Sequence, residues 1–246
     1  MRRALPALAV VALLAAGCGG STTSVTTGVA TAPSAATTGP QVATTLSLEL
    51  FFLADDGKLV AERREVPSTQ AVAAVALHEL ATAPTGKMTD VPDALSVSIA
   101  NGDANVIGAT LGKAALAQIV YTLTQFPTVK AVNGRTREDL EDSGLVPAIL
   151  VEHPTPDERV ASPLHVSGTA DTFEATFEYE LKDSAGAVIA KGFTTASTGN
   201  GMRGTFDISV PFDVAHTQYG TLVVYESSAE DGSRIHIREI PLRLTP

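Results

Sequence analysis

The chain has 246 residues, and its 27 acidic and 17 basic side chains give it a formal net charge of −10. This acidic balance argues against nucleic acid or an anionic lipid surface as a partner, because both select basic patches. The single cysteine excludes internal disulfides, so the folded part must depend on apolar cores, for which a hydrophobic content of 44% is adequate.

The first residues have the pattern of a bacterial export signal. Arg2 and Arg3 precede an apolar run of about 13 residues, which is shorter than the roughly 20 residues of a membrane-spanning helix. The run ends in the small residues 15–17, directly before Cys18. This ending resembles the lipobox of bacterial lipoproteins, in which cleavage before the cysteine leaves a lipidated N-terminus.

The resemblance predicts a lipoprotein signal peptide over residues 1–17 and a lipid-carrying Cys18, which would anchor the protein on the extracytoplasmic face of the cell membrane. Ordinary secretion is the alternative. Residues 18–44 are predicted to form a disordered tether, because residues 19–41 are uncharged and almost all small, and cannot bury a core. A glycosylated stalk is the alternative for this segment. Without Arg2 and Arg3, 15 basic residues face 27 acidic ones, and the net charge is about −12.

The segment after the tether begins with a predicted hairpin and a helix. Apolar and polar residues alternate from Leu46 to Phe52, Asp56-Gly57 marks a turn, and residues 59–66 return as a second strand. Residues 71–83 are rich in helix formers, and Pro67-Ser68 precedes them as an expected N-cap. Helical spacing places four apolar residues on one stripe of this helix: Val72, Val75, Ala76 and Leu80.

A second hairpin and a second helix complete this segment. Residues 95–99 and 105–111 alternate on either side of Asn101-Gly102. The next helix ends at Phe126-Pro127, and its apolar face consists of Leu116, Ile119, Val120 and Leu123. A short strand at 129–132 then meets Asn133-Gly134. We expect an α+β domain over residues 45–135, with a small sheet and both helices on one of its faces.

Residues 117–127, AQIVYTLTQFP, closely resemble the helix of the GerMN domain, the sporulation and spore germination domain of secreted bacterial proteins. Arg63 and Arg64 before a proline, and the passage 92–102, agree with the same family. Two features depart from it: Ala83-Pro84 stands where Gly-Pro is usual, and Asn133-Gly134 shortens the strand after the second helix. We therefore expect an abbreviated edge strand there, which argues against assembly through that edge of the sheet.

The last hundred residues read as an all-β domain. Apolar and polar residues alternate strictly from Phe173 to Leu181, and turn signals recur at 184–186, 199–201 and 231–232. About seven strands with short loops and no helix are expected, as in an antiparallel sandwich. Residues 136–146, between the two domains, are predicted to be an exposed linker.

Several short passages carry a second resemblance. Six short passages are similar to the immunoglobulin-like domain of bacterial spore germination: Pro154, Ser162-Pro163-Leu164, Gly168-Thr169-Ala170, Phe173-Glu174-Ala175, Gly204-Thr205-Phe206 and the run 227–232. This resemblance covers residues 148–246 and implies an immunoglobulin-like β-sandwich, which we expect over residues 147–246. A GerMN domain followed by such a domain behind a lipobox is a known bacterial arrangement.

No enzyme motif stands out in the sequence. We find no Gly-x-Ser-x-Gly elbow, His-Glu-x-x-His helix or P-loop, so we predict no catalytic residue, metal or cofactor. The glycine pattern at 199–204 precedes a strand rather than a helix, which favours a sandwich loop over a nucleotide site. Residues 101–105 lack the glutamate of a calcium loop and fit a plain hairpin. The five histidines are scattered: His78, His153, His165, His216 and His236.

Three acidic residues occupy even positions of the alternating strand: Glu174, Glu178 and Glu180. Residues two apart share one face of a strand, so these carboxylates are expected to form an acidic stripe. The stripe is either simply solvated or a contact surface.

The family resemblance implies assembly or recognition outside the cytoplasmic membrane. We expect a non-enzymatic, lipid-anchored envelope protein that acts as a scaffold through self-association or an envelope protein partner. A glycan-binding or sensory module that reads peptidoglycan and presents a ligand to a membrane partner is the alternative, and an unrecognised hydrolase is a minor one. No nucleic acid partner is expected.

Overall fold

The computed structural model describes residues 44–246, so the predicted signal peptide, Cys18 and nearly all of the tether lie outside the described residues. Residues Val42–Pro246 form one unit, and both of its apolar cores are built from residues of this unit. Within the described part of the chain, the longest α-helix has 11 residues, and none has the length and apolar character of a membrane span.

The first domain combines two helices with two small sheets. Its elements are β1 (Thr45–Leu53), β2 (Leu59–Pro67), α1 (Val72–Leu80), β3 (Ser96–Ala100), β4 (Asp103–Ile107), α2 (Lys113–Leu123) and β5 (Ala131–Val132). β1 and β2 form an antiparallel hairpin, and β3, β4 and β5 form a separate sheet in that order. The α+β prediction is confirmed, but the expected single sheet is divided into two.

The N-terminal cap of α1 differs from the prediction. The helix begins after Ala71 without a side-chain cap, and Ser68 instead donates its backbone N–H to Thr44. The buried face of α1 consists of Ala76, Leu77 and Leu80, so the apolar stripe is centred slightly further along than the sequence pattern indicates.

The helix α2 is buried on nearly all sides from Ala117 to Leu123, and its polar residues complete the backbone hydrogen bonds of β1. Thr122 Oγ1 accepts the N–H of Phe51, and Gln118 Nε2 donates to the Phe51 carbonyl. Gln125 bonds the N–H and the carbonyl of Glu49 in the same way. Buried backbone groups must be paired, so these three side chains close the open edge of β1.

The second domain is a two-sheet sandwich with eight strands rather than about seven. They are β6 (Ile149–His153), β7 (Arg159–Ala161), β8 (Leu164–Ala170), β9 (Thr176–Lys182), β10 (Val188–Thr195), β11 (Gly204–Val210), β12 (Gln218–Ser227) and β13 (Arg234–Thr245). One sheet has the order β10-β9-β12-β13-β7 and the other β11-β8-β6. The predicted immunoglobulin-like sandwich is confirmed, with Phe177 and Phe206 packed edge to face in its core at 4.8 Å.

Two segments differ from the expected local structure. Residues Phe173–Ala175 form a 3₁₀ turn, and the strand begins only at Thr176. The expected linker contains a second 3₁₀ turn, Glu138–Ser143, whose Leu140 is buried in the core of the first domain. One buried leucine is enough to hold this otherwise polar segment against the domain.

Candidate interaction surfaces

Arg137 joins the two domains. Its guanidinium donates to Thr124 Oγ1 at 2.8 Å and to the Tyr121 carbonyl at 2.9 Å, both in the first domain. It forms an ion pair with Glu152 of β6 at 2.7 Å. The guanidinium also lies 4.6 Å from the ring centroid of Tyr121 and 5.4 Å from that of Phe51. Charge-assisted hydrogen bonds and cation–π contacts reinforce each other in this group, which we call the Arg137 clasp.

Glu49 of β1 is a poorly compensated carboxyl group beside the Arg137 clasp. Its Oε1 is buried without a hydrogen-bond partner. Burial, together with repulsion from the Glu152 carboxylate, raises the pKa of Glu49 to about 7, and the charges of Arg137 and Arg63 offset only part of this rise. Glu49 therefore changes its protonation state close to neutral pH.

A polar cleft of about 620 Å³ opens next to the clasp, with Glu49, Lys130, Glu138 and Glu152 among its lining residues. It mixes both signs of charge and contains no histidine or cysteine. Across residues 44–246, no group of three or more His, Cys, Asp or Glu side chains is placed to hold a metal ion.

Further contacts hold the linker and the second domain against the first. The N–H of Leu59 donates to the carbonyl of Leu145 in the linker at 2.8 Å, and Arg238 of the second domain pairs with Asp56 of the first domain at 2.6 Å. Both domains thus belong to one unit.

Three loop segments of the sandwich, 171–175, 196–203 and 226–236, meet through hydrogen bonds and form what we call the loop end. Asn200 Oδ1 accepts the N–H of Glu174, and an oxygen of Asp171 accepts the N–H of Gly201, both at 2.9 Å. The Glu226 carboxylate, only 5% exposed, accepts the N–H of Phe173 at 2.9 Å and contacts His236 Nδ1 at 2.8 Å.

The backbone of the loop end is strained and over-determined. Glu174, Ala175, Asn200 and His236 all have positive φ values between 53° and 60°. A Cβ on Gly199 would lie 2.5 Å from the nitrogen of Ala175, so only glycine allows this approach. Such conformations persist only where the surrounding structure holds them, and they cluster at functional sites.

The loop end exposes large apolar side chains on this fixed backbone. Phe173 is 56% exposed and Met202 is 64% exposed. Exposed aromatic and methionine side chains on a rigid loop are typical of protein-binding surfaces.

Family profiles match both domains. Residues 49–133 match the family described as "Sporulation and spore germination", and residues 148–233 match the "Immunoglobulin-like domain of bacterial spore germination". The described part of the chain thus consists of two successive domains similar to these families. We refer to them as the GerMN-like domain and the immunoglobulin-like domain, and neither family is a known enzyme family.

A solved structure with a similar chain is that of the tandem GerMN domains of the sporulation protein GerM from Bacillus subtilis, at 16% identity and a TM-score of 0.33. The match covers 82% of this chain and 61% of the GerM chain. None of the curated proteins compared with the chain matches it.

The three glutamates of the expected acidic stripe occupy different environments in the immunoglobulin-like domain. Glu174 lies on the 3₁₀ turn of the loop end, outside the strand. Glu178 accepts a hydrogen bond from Ser227 Oγ at 2.8 Å. Glu180 is 8% exposed, and the hydrogen bonds from Arg234 lower the pKa of Glu180 below its usual range. The structure therefore holds two paired carboxylates on the strand and a separate loop carboxylate rather than a continuous stripe.

The histidines are less scattered than the sequence indicates. The rings of His153 and His165 lie 5.6 Å apart, with Glu158 near the first ring and Asp207 near the second. Although burial alone would raise it, hydrogen bonds from His153 and Thr155 bring the pKa of Glu158 down to about 2.

Sequence reasoning missed the two residues that organise these surfaces, Arg137 and Glu226. Arg137 lies in a polar run that reads as a linker, and its partners come from another helix and another domain. Glu226 follows the apolar run of β12 one residue before the strand ends, and this position could have indicated a buried carboxylate where the strand meets a loop.

Proposed function

We propose that the chain is a lipid-anchored cell-envelope protein that acts as a scaffold through protein–protein contacts rather than as an enzyme. The observation that supports this most is the loop end, where Phe173 and Met202 stand exposed on a backbone that hydrogen bonds hold in place. A surface that is already ordered loses little entropy when a partner binds. The two germination-related domains supply the family context.

Site-specific photo-crosslinking in the native host tests the contact. A photoreactive residue at position 173 should give a discrete adduct with an envelope protein. Position 219 is the matched control, because Tyr219 is 58% exposed but lies at the start of β12, at the far end of that strand from Glu226. Equal adducts from both positions, or none from either, would remove the support for a partner at the loop end.

The lipid anchor is tested separately. The Cys18→Ser protein should lose incorporation of labelled lipid and leave the membrane fraction, or accumulate as precursor. Retention of labelled lipid by this variant would overturn the lipidation proposal.

A glycan-binding role is the second candidate, and one residue favours it. Phe193 of β10 is 73% exposed and lies opposite Glu178 on the outer face of the five-stranded sheet. An open aromatic ring beside a carboxylate can stack on a sugar and accept its hydroxyl hydrogens. Co-sedimentation with purified peptidoglycan that disappears in a Phe193→Ala protein would favour this role over the scaffold.

A further inference from the structure

The sheet of β3, β4 and β5 has one closed edge and one open edge. On the closed side, the backbone N–H of Val106 donates to Asn133 Oδ1 at 2.8 Å, and Asn133 Nδ2 donates to the Val106 carbonyl at 3.1 Å. The side chain of Asn133 thus continues the ladder where the two-residue strand β5 stops. β5 and the side chain of Asn133 together therefore cover the edge of β4, although β5 has only two residues.

The open edge is β3. Its five residues, SVSIA, are exposed or half-buried, and the whole run 94–102 carries no charge. Natural proteins protect edge strands with charges, proline, bulges or a covering element. β3 has no charge, proline or bulge, whereas β10, an edge strand of the sandwich, carries Lys191 and a bulge.

The outward backbone groups of β3 belong to Val97 and Ile99. The hairpin turns through Asn101-Gly102, so Ala100 and Asp103 form the hydrogen-bonded pair next to the turn and the pairs alternate from there. Val106 confirms this phase, because its N–H and carbonyl bond to Asn133 and not to Val97. Among residues 44–246, no loop, cap or side-chain hydrogen bond reaches the backbone of Val97 or Ile99.

An apolar groove of about 430 Å³ runs beside this edge, with Val72, Val97, Ile99 and Phe126 among its lining residues. Val97 and Ile99 share the inner face of β3 with Ala104 and Val106 of β4. Ile99 is 43% exposed at the mouth of the groove. A strand added to the edge would therefore cover apolar surface as well as pair backbone groups.

We propose that the occupant of the β3 edge is β3 of a second copy, antiparallel and related by a two-fold axis at Ser98. The pattern Ser-Val-Ser-Ile-Ala is self-complementary in this register: Val97 faces Ile99 of the second copy, Ser98 faces Ser98, and the apolar residues stay on one side. The run 94–102, which meets its counterpart in this register, carries no charge, so the like charges of this acidic chain come no nearer than Asp93 and Asp103 at its two ends. The inference rests on the proposed scaffold function and gives it a defined contact.

The two-fold register predicts a cross-link. Ser98 and its counterpart form a non-hydrogen-bonded pair, whose Cα atoms in antiparallel sheets are about 4.5 Å apart, within the range of disulfides. Residues 42–246 contain no cysteine, so Ser98→Cys supplies the only thiol. Mild oxidation should give a disulfide dimer of this fragment, and Asn105→Cys, which lies on the same face of β4, should give much less. Equal dimer from both variants would overturn the register.

Light scattering tests the association itself. A pair of five-residue strands is a small interface, so the dimer fraction of residues 42–246 should rise only at high concentration. Ile99→Lys should raise the concentration at which the dimer appears at least tenfold. Ile107→Lys is the matched control, because Ile107 is 58% exposed on the opposite face of the same sheet and should leave association unchanged.

Opposite charges introduced at position 99 of the two copies test whether association uses the β3 edge and no other surface. Ile99→Lys and Ile99→Glu should each be monomeric alone, and their mixture should regain dimer, because the two side chains at position 99 lie diagonally across the axis. A parent protein that associates equally with and without these substitutions would overturn the β3 contact but leave a scaffold intact. A parent protein that is monomeric at every concentration would overturn self-association, and position 173 would then decide the scaffold proposal.

Discussion

Two buried carboxyl groups, Glu49 and Glu226, show opposite solutions to the same physical problem. At the loop end, Glu226 has one oxygen bonded to the N–H of Phe173 and the other to His236. At the domain junction, Glu49 has a buried oxygen with no partner, and its pKa rises to about 7. A buried carboxylate costs free energy unless hydrogen bonds replace its water. The loop end is thus compensated, whereas the junction carries a cost that depends on charge and pH.

Removal of the Arg137 clasp should have the largest effect. Arg137→Ala takes away an ion pair, two hydrogen bonds and the contacts with two aromatic rings, and it leaves Glu152 unpaired beside Glu49. We expect a loss of about 3 kcal/mol in the free energy of unfolding, as for other partly buried pairs that lose one member. Urea denaturation measures it, and Arg135→Ala, two residues earlier and exposed, is the control. Equal small losses in both variants would refute the clasp.

Neutralisation of Glu49 should stabilise the protein, and the gain should grow with pH. Between pH 4.5 and about 7, the folded protein keeps a proton on Glu49 that the unfolded chain has released, so stability falls as pH rises. Glu49→Gln removes this cost and should gain up to about 3 kcal/mol at pH 8 but little at pH 4. Glu65→Gln on the exposed side of β2 is the control. A gain that is the same at both pH values would contradict the raised pKa.

Glu226 should stabilise the protein as a carboxylate, because both of its oxygens have partners. Glu226→Ala leaves the N–H of Phe173 unpaired and frees His236, and we expect a loss of about 2 kcal/mol. Amide hydrogen exchange should also rise in residues 171–175, which the exposed control Glu239→Ala should not affect. Unchanged exchange in this turn would show that Glu226 does not hold it.

Phe173 itself should hardly affect stability. Because more than half of its side chain is exposed, Phe173→Ser should change the free energy of unfolding by less than about 0.5 kcal/mol. Thermal unfolding checks this. A clearly lower melting temperature would mean that Phe173 packs against the fold instead of serving a partner.

The sequence predicted the regular parts of both domains because their signals are local. The alternation in β1 and β9 and the helical spacing of α2 indicate the type of each element without any distant information. They do not indicate the full extent of burial, because β1 is buried on both faces from Leu50 to Leu53 and α2 on nearly all sides. The passages that resemble the two germination families lie where the family profiles match, at 49–133 and 148–233.

The parts that the sequence did not predict depend on distant partners. Glu174 alternates with apolar neighbours, yet Asn200, 26 residues later, holds its backbone outside the strand. The sequence predicts a turn at Asn133, but its side chain hydrogen-bonds the backbone of Val106, 27 residues earlier, as a neighbouring strand would. The raised pKa of Glu49 arises from burial and from the charge of Glu152 in β6, so the alternating pattern of β1 contains no sign of it.

The position of β13 determines the order in which the protein can fold. This strand follows all the other strands of the sandwich in sequence, yet it lies inside the five-stranded sheet between β12 and β7, and its Arg238 pairs with Asp56, 182 residues earlier. During synthesis the GerMN-like domain can close its own core first, whereas the sandwich must wait for β13. Contacts so far apart in sequence form late, because the intervening loop must be closed first. A chain that stops before β13 should therefore retain a native GerMN-like core without a sandwich.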